Sequence, residues 1–119
     1  MIRVLVVEDD AHTRRVLTTL LESEGFEVVA AADGLEGIAA VEAHDPACIL
    51  TDSMMPRMGG LDMLAELKVR GLSRPTIIVS AIHELPPPQQ LKELAVSTVV
   101  SKPFAFEQLV KTVVELVGR

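Results

Sequence analysis

The chain has no tryptophan and no tyrosine, and only three phenylalanines among its 119 residues. Ring stacking therefore cannot dominate the core, which must be filled by Val, Ile, Leu, Ala and Met. There is one cysteine, Cys48, so no intrachain disulfide can form, which is consistent with a reducing compartment. Cys48 stands in an apolar run and reads as a small buried core residue. Basic residues are outnumbered, 11 against 17 acidic ones, for a formal charge of -6. That balance argues against nucleic-acid binding through a basic patch. No apolar run nears the length of a membrane span, and Met1-Ile2-Arg3 leads straight into a strand-like run without a signal peptide. The expectation is a cytoplasmic protein with no membrane contact.

What is present is a folding chain. Hydrophobic residues make up 49%, and the length suits one domain over residues 1–119 with a single buried core. Short apolar, mostly β-branched runs recur five times: Ile2–Val7, Glu27–Ala31, Ala47–Thr51, Thr76–Ser80 and Thr98–Ser101. Such runs fit strands of a parallel sheet covered on both faces. Amphipathic segments fall between them. Val16, Leu17, Leu20 and Leu21 form one stripe, with Gly25 placed to end that helix. Asp33-Gly34 supplies a turn and a start for a second helix, which carries Leu35 and Ile38. Leu61, Leu64 and Leu67 mark a third, a short segment from about Pro88 to Ala95 a fourth, and Phe106, Leu109, Val110, Val113 and Val117 a fifth. Five βα units with right-handed crossovers predict an α/β three-layer sandwich with strand order 2-1-3-4-5. In such sheets the functional crevice lies beyond the C-terminal strand ends, at the switch point beside the first strand.

The polar residues at those ends are informative together. Glu8, Asp9 and Asp10 follow the first strand, Asp52 the third, Ser80 ends the fourth, and Lys102 follows the fifth. Carboxylates gathered this closely resist ionisation unless a hard divalent cation relieves them. Asp52 then reads as a carboxylate nucleophile toward phosphorus, with Lys102 and the Ser80 hydroxyl holding other phosphoryl oxygens. Taken singly, each residue has a plainer role. The acidic triplet suits the N-terminus of a helix, Asp52 suits a turn before Met54-Met55-Pro56, and Lys102 suits a solvated loop.

The segments Val4–Asp10, Leu50–Gly60, Ile78–Ala81 and Ser101–Phe104, in this order, resemble the receiver domains of two-component response regulators. The resemblance spans the whole chain. It implies a flavodoxin-like fold and a signalling phosphoacceptor, supplied by a sensor histidine kinase or a histidine phosphotransfer protein in a phosphorelay. By position, Asp52 matches the phosphoacceptor, Ser80 the switch hydroxyl and Lys102 the phosphoryl-contacting lysine. Asp9 would bind Mg²⁺ (or Mn²⁺) directly, Glu8 through water, and the backbone carbonyl of Met54 would be a further ligand beside Asp52. Met54 and Ile82 would flank the path of the hydrolytic water. The Lys102-Pro103 bond would be cis, a state that proline makes accessible. Such a chain is either a stand-alone receiver or a module of a longer regulator.

One feature departs from the family, and a second is unusual in itself. Val99 stands three residues before Lys102, where an aromatic ring is usual, and Leu94–Thr98 lacks the usual Gly-Ala pair. Pro86-Pro87-Pro88 favours an extended or polyproline entry to the fourth helix, with Pro88 near its first turn. His12, His44 and His83 have no partners at metal-ligand spacing and read as surface residues. Met54, Met55, Met58 and Met63 read as packing around the acceptor loop. A phosphatase working through an aspartyl phosphate would need an acid two residues after Asp52, where Met54 stands. A flavin or nucleotide binder would need a Ser-, Thr- or Gly-rich loop where the acidic triplet stands.

Overall fold

A computed structural model describes residues 1–81 and 85–118. Five strands alternate with five helices: β1 (Arg3–Val7), α1 (Ala11–Ser23), β2 (Glu27–Ala31), α2 (Gly34–His44), β3 (Cys48–Asp52), α3 (Gly60–Val69), β4 (Thr76–Ser80), α4 (Pro88–Glu93), β5 (Val96–Ser101) and α5 (Phe106–Leu116). All strands pair in parallel, in the order β2-β1-β3-β4-β5. This is the flavodoxin-like sandwich expected from the sequence.

The alternation of side chains along each strand divides the core in two. Val4, Val6, Cys48, Leu50, Ile77 and Val79 face α1 and α5, meeting Leu17, Leu21, Leu109 and Val113. Leu5, Val7 and Ile49 face α2 and α3, meeting Ile38, Val41, Met63, Leu64 and Leu67. Burial of one such leucine contributes about 1.5–3 kcal/mol, so the stripes read from the sequence fix each helix to its face. Burial also pushes the Cys48 thiol up to about 11, as befits an unreactive core residue.

The helix ends follow local chemistry. Asp10 caps α1, accepting from the Thr13 amide at 2.9 Å, and Asp33 caps α2, accepting from the Glu36 amide at 2.9 Å. Gly25, at φ 91°, ends the turn after α1 in the left-handed region that glycine enters freely. Pro87 has φ -56° and ψ 151°, a polyproline-like entry, and Pro88 is the first residue of α4.

Several boundaries differ from the sequence expectation. β1 begins at Arg3 instead of Ile2, and β3 runs one residue later, so Asp52 is its last residue instead of the first beyond it. β5 begins at Val96 instead of Thr98: an edge strand is covered incompletely, so the polar Ser97 and Thr98 interrupt its apolar character, and the register shifts at Ser97 before pairing resumes at Thr98. α4 stops at Glu93 because Ala95 turns left-handed, at φ 65°, and the Ala95 carbonyl then accepts from Thr76 on β4 at 3.1 Å.

Candidate functional site

Glu8, Asp9 and Asp52 meet at the C-terminal edge of β1 and β3, with one carboxylate oxygen of each lying within 4.8 Å of the others. The backbone places them. The Glu8 amide donates to the Ala31 carbonyl at 3.0 Å, continuing the β1–β2 ladder past Val7, and Arg14 on α1 donates to the Glu8 carbonyl at 2.7 Å. Glu8 is only 9% exposed, whereas Asp9 is exposed. Burial, a side-chain hydrogen bond with Asp9 and the nearby charge of Asp52 together push the Glu8 carboxyl up to about 7. Asp10 stands apart from the cluster. Its carboxylate accepts from the amide and hydroxyl of Thr13, which hold it below the usual carboxylate range.

Asp52 is 6% exposed and faces the cation predicted for it: Lys102 Nζ donates to Asp52 Oδ2 at 2.7 Å. The other oxygen, Oδ1, accepts from the Met54 amide at 3.2 Å. Lys102 reaches this position from a loop whose Lys102-Pro103 bond is cis, and its amide donates to the Ser80 carbonyl at 3.1 Å.

The loop after Asp52 is shaped by close backbone approach. A Cβ on Gly60 would lie 2.2 Å from the Asp52 carbonyl oxygen, so only glycine lets α3 begin this close to β3. Arg57, itself left-handed at φ 65°, donates from Nε to Asp33 Oδ2 at 2.6 Å, and the Gly34 amide donates to the Met58 carbonyl at 2.9 Å. The acceptor loop is thereby tied to the start of α2. The Glu36 amide, then Arg57, hold the Asp33 carboxyl below its ordinary range.

Ser80 is completely buried. Its hydroxyl accepts from the Ser53 hydroxyl at 2.8 Å and donates to the Ala81 carbonyl at 3.0 Å. Ser53 is the residue that sequence reasoning missed. A serine between an acid and two methionines reads as loop filler, and only the β3–β4 register brings it to Ser80. The Arg57–Asp33 tie and the Arg14 contact were missed for the same reason, since each joins segments distant in sequence.

Among the methionines, Met63 is fully buried and Met55 and Met58 pack on the core, as expected for packing residues. Met54 does not: it is 63% exposed, because its backbone turns back to Asp52 and leaves the side chain outside. His12 and His44 are exposed. Ile82 and His83 lie outside the described residues. Val99 is half-buried on β5, opposite Ile78. No helix among the described residues is long and apolar enough to cross a membrane.

A profile of the response regulator receiver domain matches residues 4–114. The chain is 32% identical to sporulation initiation phosphotransferase F of Bacillus subtilis over 90% of its own length and 86% of that protein's. It is 30% identical to the transcriptional regulatory protein PdtaR of Mycobacterium tuberculosis over 98% of its length, but spans only 57% of that protein, as it spans about half of several other curated relatives. In structure it is similar to the receiver domain of Francisella response regulator 1452, with TM-score 0.87 and 28% identity over 100% of this chain and 98% of that one. It is also similar to Thermotoga maritima TrrA, solved in complex with Mg²⁺ and BeF, with TM-score 0.82 and 27% identity over 98% and 99% of the two chains. Receiver domains are signalling modules of two-component systems, and this chain belongs to the response regulator receiver domain family.

Proposed function

We propose that this receiver accepts a phosphoryl group on Asp52, in a reaction that requires Mg²⁺ or Mn²⁺, from a phosphohistidine of a sensor histidine kinase or histidine phosphotransfer protein. The observation that carries this is the pairing of Asp52 with Lys102 at 2.7 Å beside the Glu8–Asp9–Asp52 cluster. The donor set consists of hard oxygens and suits a small hard divalent cation. Asp9 and Asp52 would hold it directly with the Met54 carbonyl, and Glu8 through water. When bound, the ion supplies positive charge against the acidic cluster and the incoming phosphoryl oxygens.

The remaining chemistry belongs to the chain. An Asp52 oxygen attacks phosphorus, the P–N bond to the donor imidazole breaks, and its electron pair returns to the ring nitrogen. Lys102 would move from the carboxylate to a phosphoryl oxygen. Ser80 would turn its hydroxyl toward another and so report the modification through β4. A mixed anhydride formed this way is labile to acid and to base.

Acetyl phosphate with Mg²⁺ tests the proposal without the natural donor. Intact-mass measurement should show one phosphate gained by the wild type and none by Asp52→Asn. Equal labelling of the two would reject Asp52 as the acceptor.

A further inference from the structure

We propose that Ser53 is a positioning residue for Ser80, holding its hydroxyl away from Asp52 until a phosphoryl group draws it across. The inference rests on the proposed roles of Asp52 and Ser80 and concerns what opposes the movement between them. Strand alternation supplies the geometry. Asp52 is in register with Val79, and Val79 packs toward α1 and α5. Ser53 and Ser80 each come one residue later, so both project to the opposite face, toward α2 and α3. There the two hydroxyls join at 2.8 Å, and the Ser53 amide is fixed to the Val79 carbonyl at 3.1 Å.

Proton counting gives the direction of the effect. A serine hydroxyl has one hydrogen to donate. In this structure the Ser53 hydroxyl donates to Ser80, and the Ser80 hydroxyl, among its contacts, donates to the Ala81 carbonyl. Turning Ser80 toward a phosphoryl oxygen exchanges the Ala81 carbonyl for a charged acceptor, which is favourable. Ser53 gains nothing in that exchange. It is 6% exposed, its backbone is held on both sides by the Val79 carbonyl and the Gly60 amide, and it loses the acceptor it had. A buried donor left without an acceptor carries a penalty, so Ser53 biases the switch toward its resting position. An alanine at the same place would leave no stranded hydrogen.

Beryllofluoride with Mg²⁺ is the probe, titrated into wild-type protein and variants and followed by amide chemical shifts, because the chain has no Trp to report binding by fluorescence. Ser53→Ala should bind the probe about three- to tenfold more tightly than wild type, the range expected when a penalty of this kind is removed. Ser53→Thr, which keeps the hydroxyl, should restore wild-type affinity, and Mg²⁺ affinity without the probe should be the same in all three. In a Ser80→Ala background the Ser53→Ala change should have no effect, because there is no hydroxyl left to hold. Unchanged or weaker binding by Ser53→Ala, or an equal gain in the Ser80→Ala background, overturns the positioning role while leaving Asp52 as acceptor intact. If the wild type binds the probe no better than Asp52→Asn does, the site assignment itself fails, and the role of Ser53 falls with it.

Discussion

The acidic cluster should destabilise the metal-free protein in a pH-dependent way, and Glu8→Gln measures by how much. Glu8 titrates near 7 in the fold against an ordinary value of 4.5, mainly because it is buried, then because it shares a hydrogen bond with Asp9 and feels Asp52. A raised carboxyl favours the folded state while it keeps its proton. That contribution is complete below about pH 4.5 and is lost as pH rises through 7. A shift of this size corresponds to at most about 3 kcal/mol. Solvent at the exposed Asp9 screens the interaction, so about 1–2 kcal/mol is expected. Glutamine keeps the shape and a donor toward Asp9 but cannot ionise. In chelator, Glu8→Gln should therefore exceed wild type by about 1–2 kcal/mol at pH 8.5, or roughly 3–10 °C in Tm for a domain of this size. Its advantage should shrink at pH 5.5. Urea unfolding followed by circular dichroism at both pH values gives the comparison. Saturating Mg²⁺ should narrow or reverse the difference, because the ion stabilises only the protein that can hold it. An advantage independent of pH, or a variant weaker than wild type at pH 8.5 in chelator, would refute the account of Glu8 as a frustrated carboxyl.

Two other outcomes follow from the same geometry. Met54→Asn should lose its phosphate about fivefold faster than wild type in a single-turnover decay, because an amide beside Asp52 can offer an attacking water the hydrogen bond that the exposed thioether cannot. A decay no faster than wild type would show that Met54 does not flank the water's path. With beryllofluoride, amide shifts should be largest at Ser53, Ser80, Ala81 and Lys102 and smaller from Leu91 to Val100 and along α5, since Val99 has no ring to carry the movement of Ser80 outward. Shifts of equal size on that surface would show that it still responds without an aromatic residue.

The sheet was legible because its strands are short apolar runs, and the site because charge was concentrated at their ends. Val4 to Val7 can only be a strand buried on both faces, and Glu8 and Asp9 must then emerge together at its C-terminal edge. Lys102 could be placed from its position after the fifth run, and its nitrogen does lie on Asp52. The edges of the fold were less legible. β5 is half-exposed, so Val96 to Thr98 carry no continuous apolar signal, and the end of α4 depends on a left-handed alanine that no propensity marks. Contacts made by neutral or surface side chains were not legible at all. The Ser53–Ser80 bond needs the β3–β4 register, and the Arg57–Asp33 tie needs the acceptor loop folded against α2. Sequence chemistry locates charges gathered at strand ends, but it locates neither hydroxyls nor ion pairs whose partners are supplied by the folding of distant segments.

That division bears on how the site would work. Charge and hydroxyl lie on opposite faces of the same sheet edge. Asp52, Lys102 and the acidic pair meet on one side, whereas Ser53 and Ser80, both buried, meet on the other. The crevice holds strong, mutually opposed charges, so adding a phosphoryl group there changes energies that are large on the scale of domain stability. The hydroxyl pair is neutral, buried and hydrogen-bonded, so by itself it has little reason to move. The carbonyl of Ser80, which accepts from the Lys102 amide, and the pairing of β4 with β3 and with β5 connect the two through backbone. A phosphoryl group on Asp52 would draw Lys102 and Ser80 at once, one by its ammonium and the other by its hydroxyl. The response should then be cooperative across that backbone link, with Ser53 setting how much of the phosphoryl group's attraction is needed before Ser80 crosses.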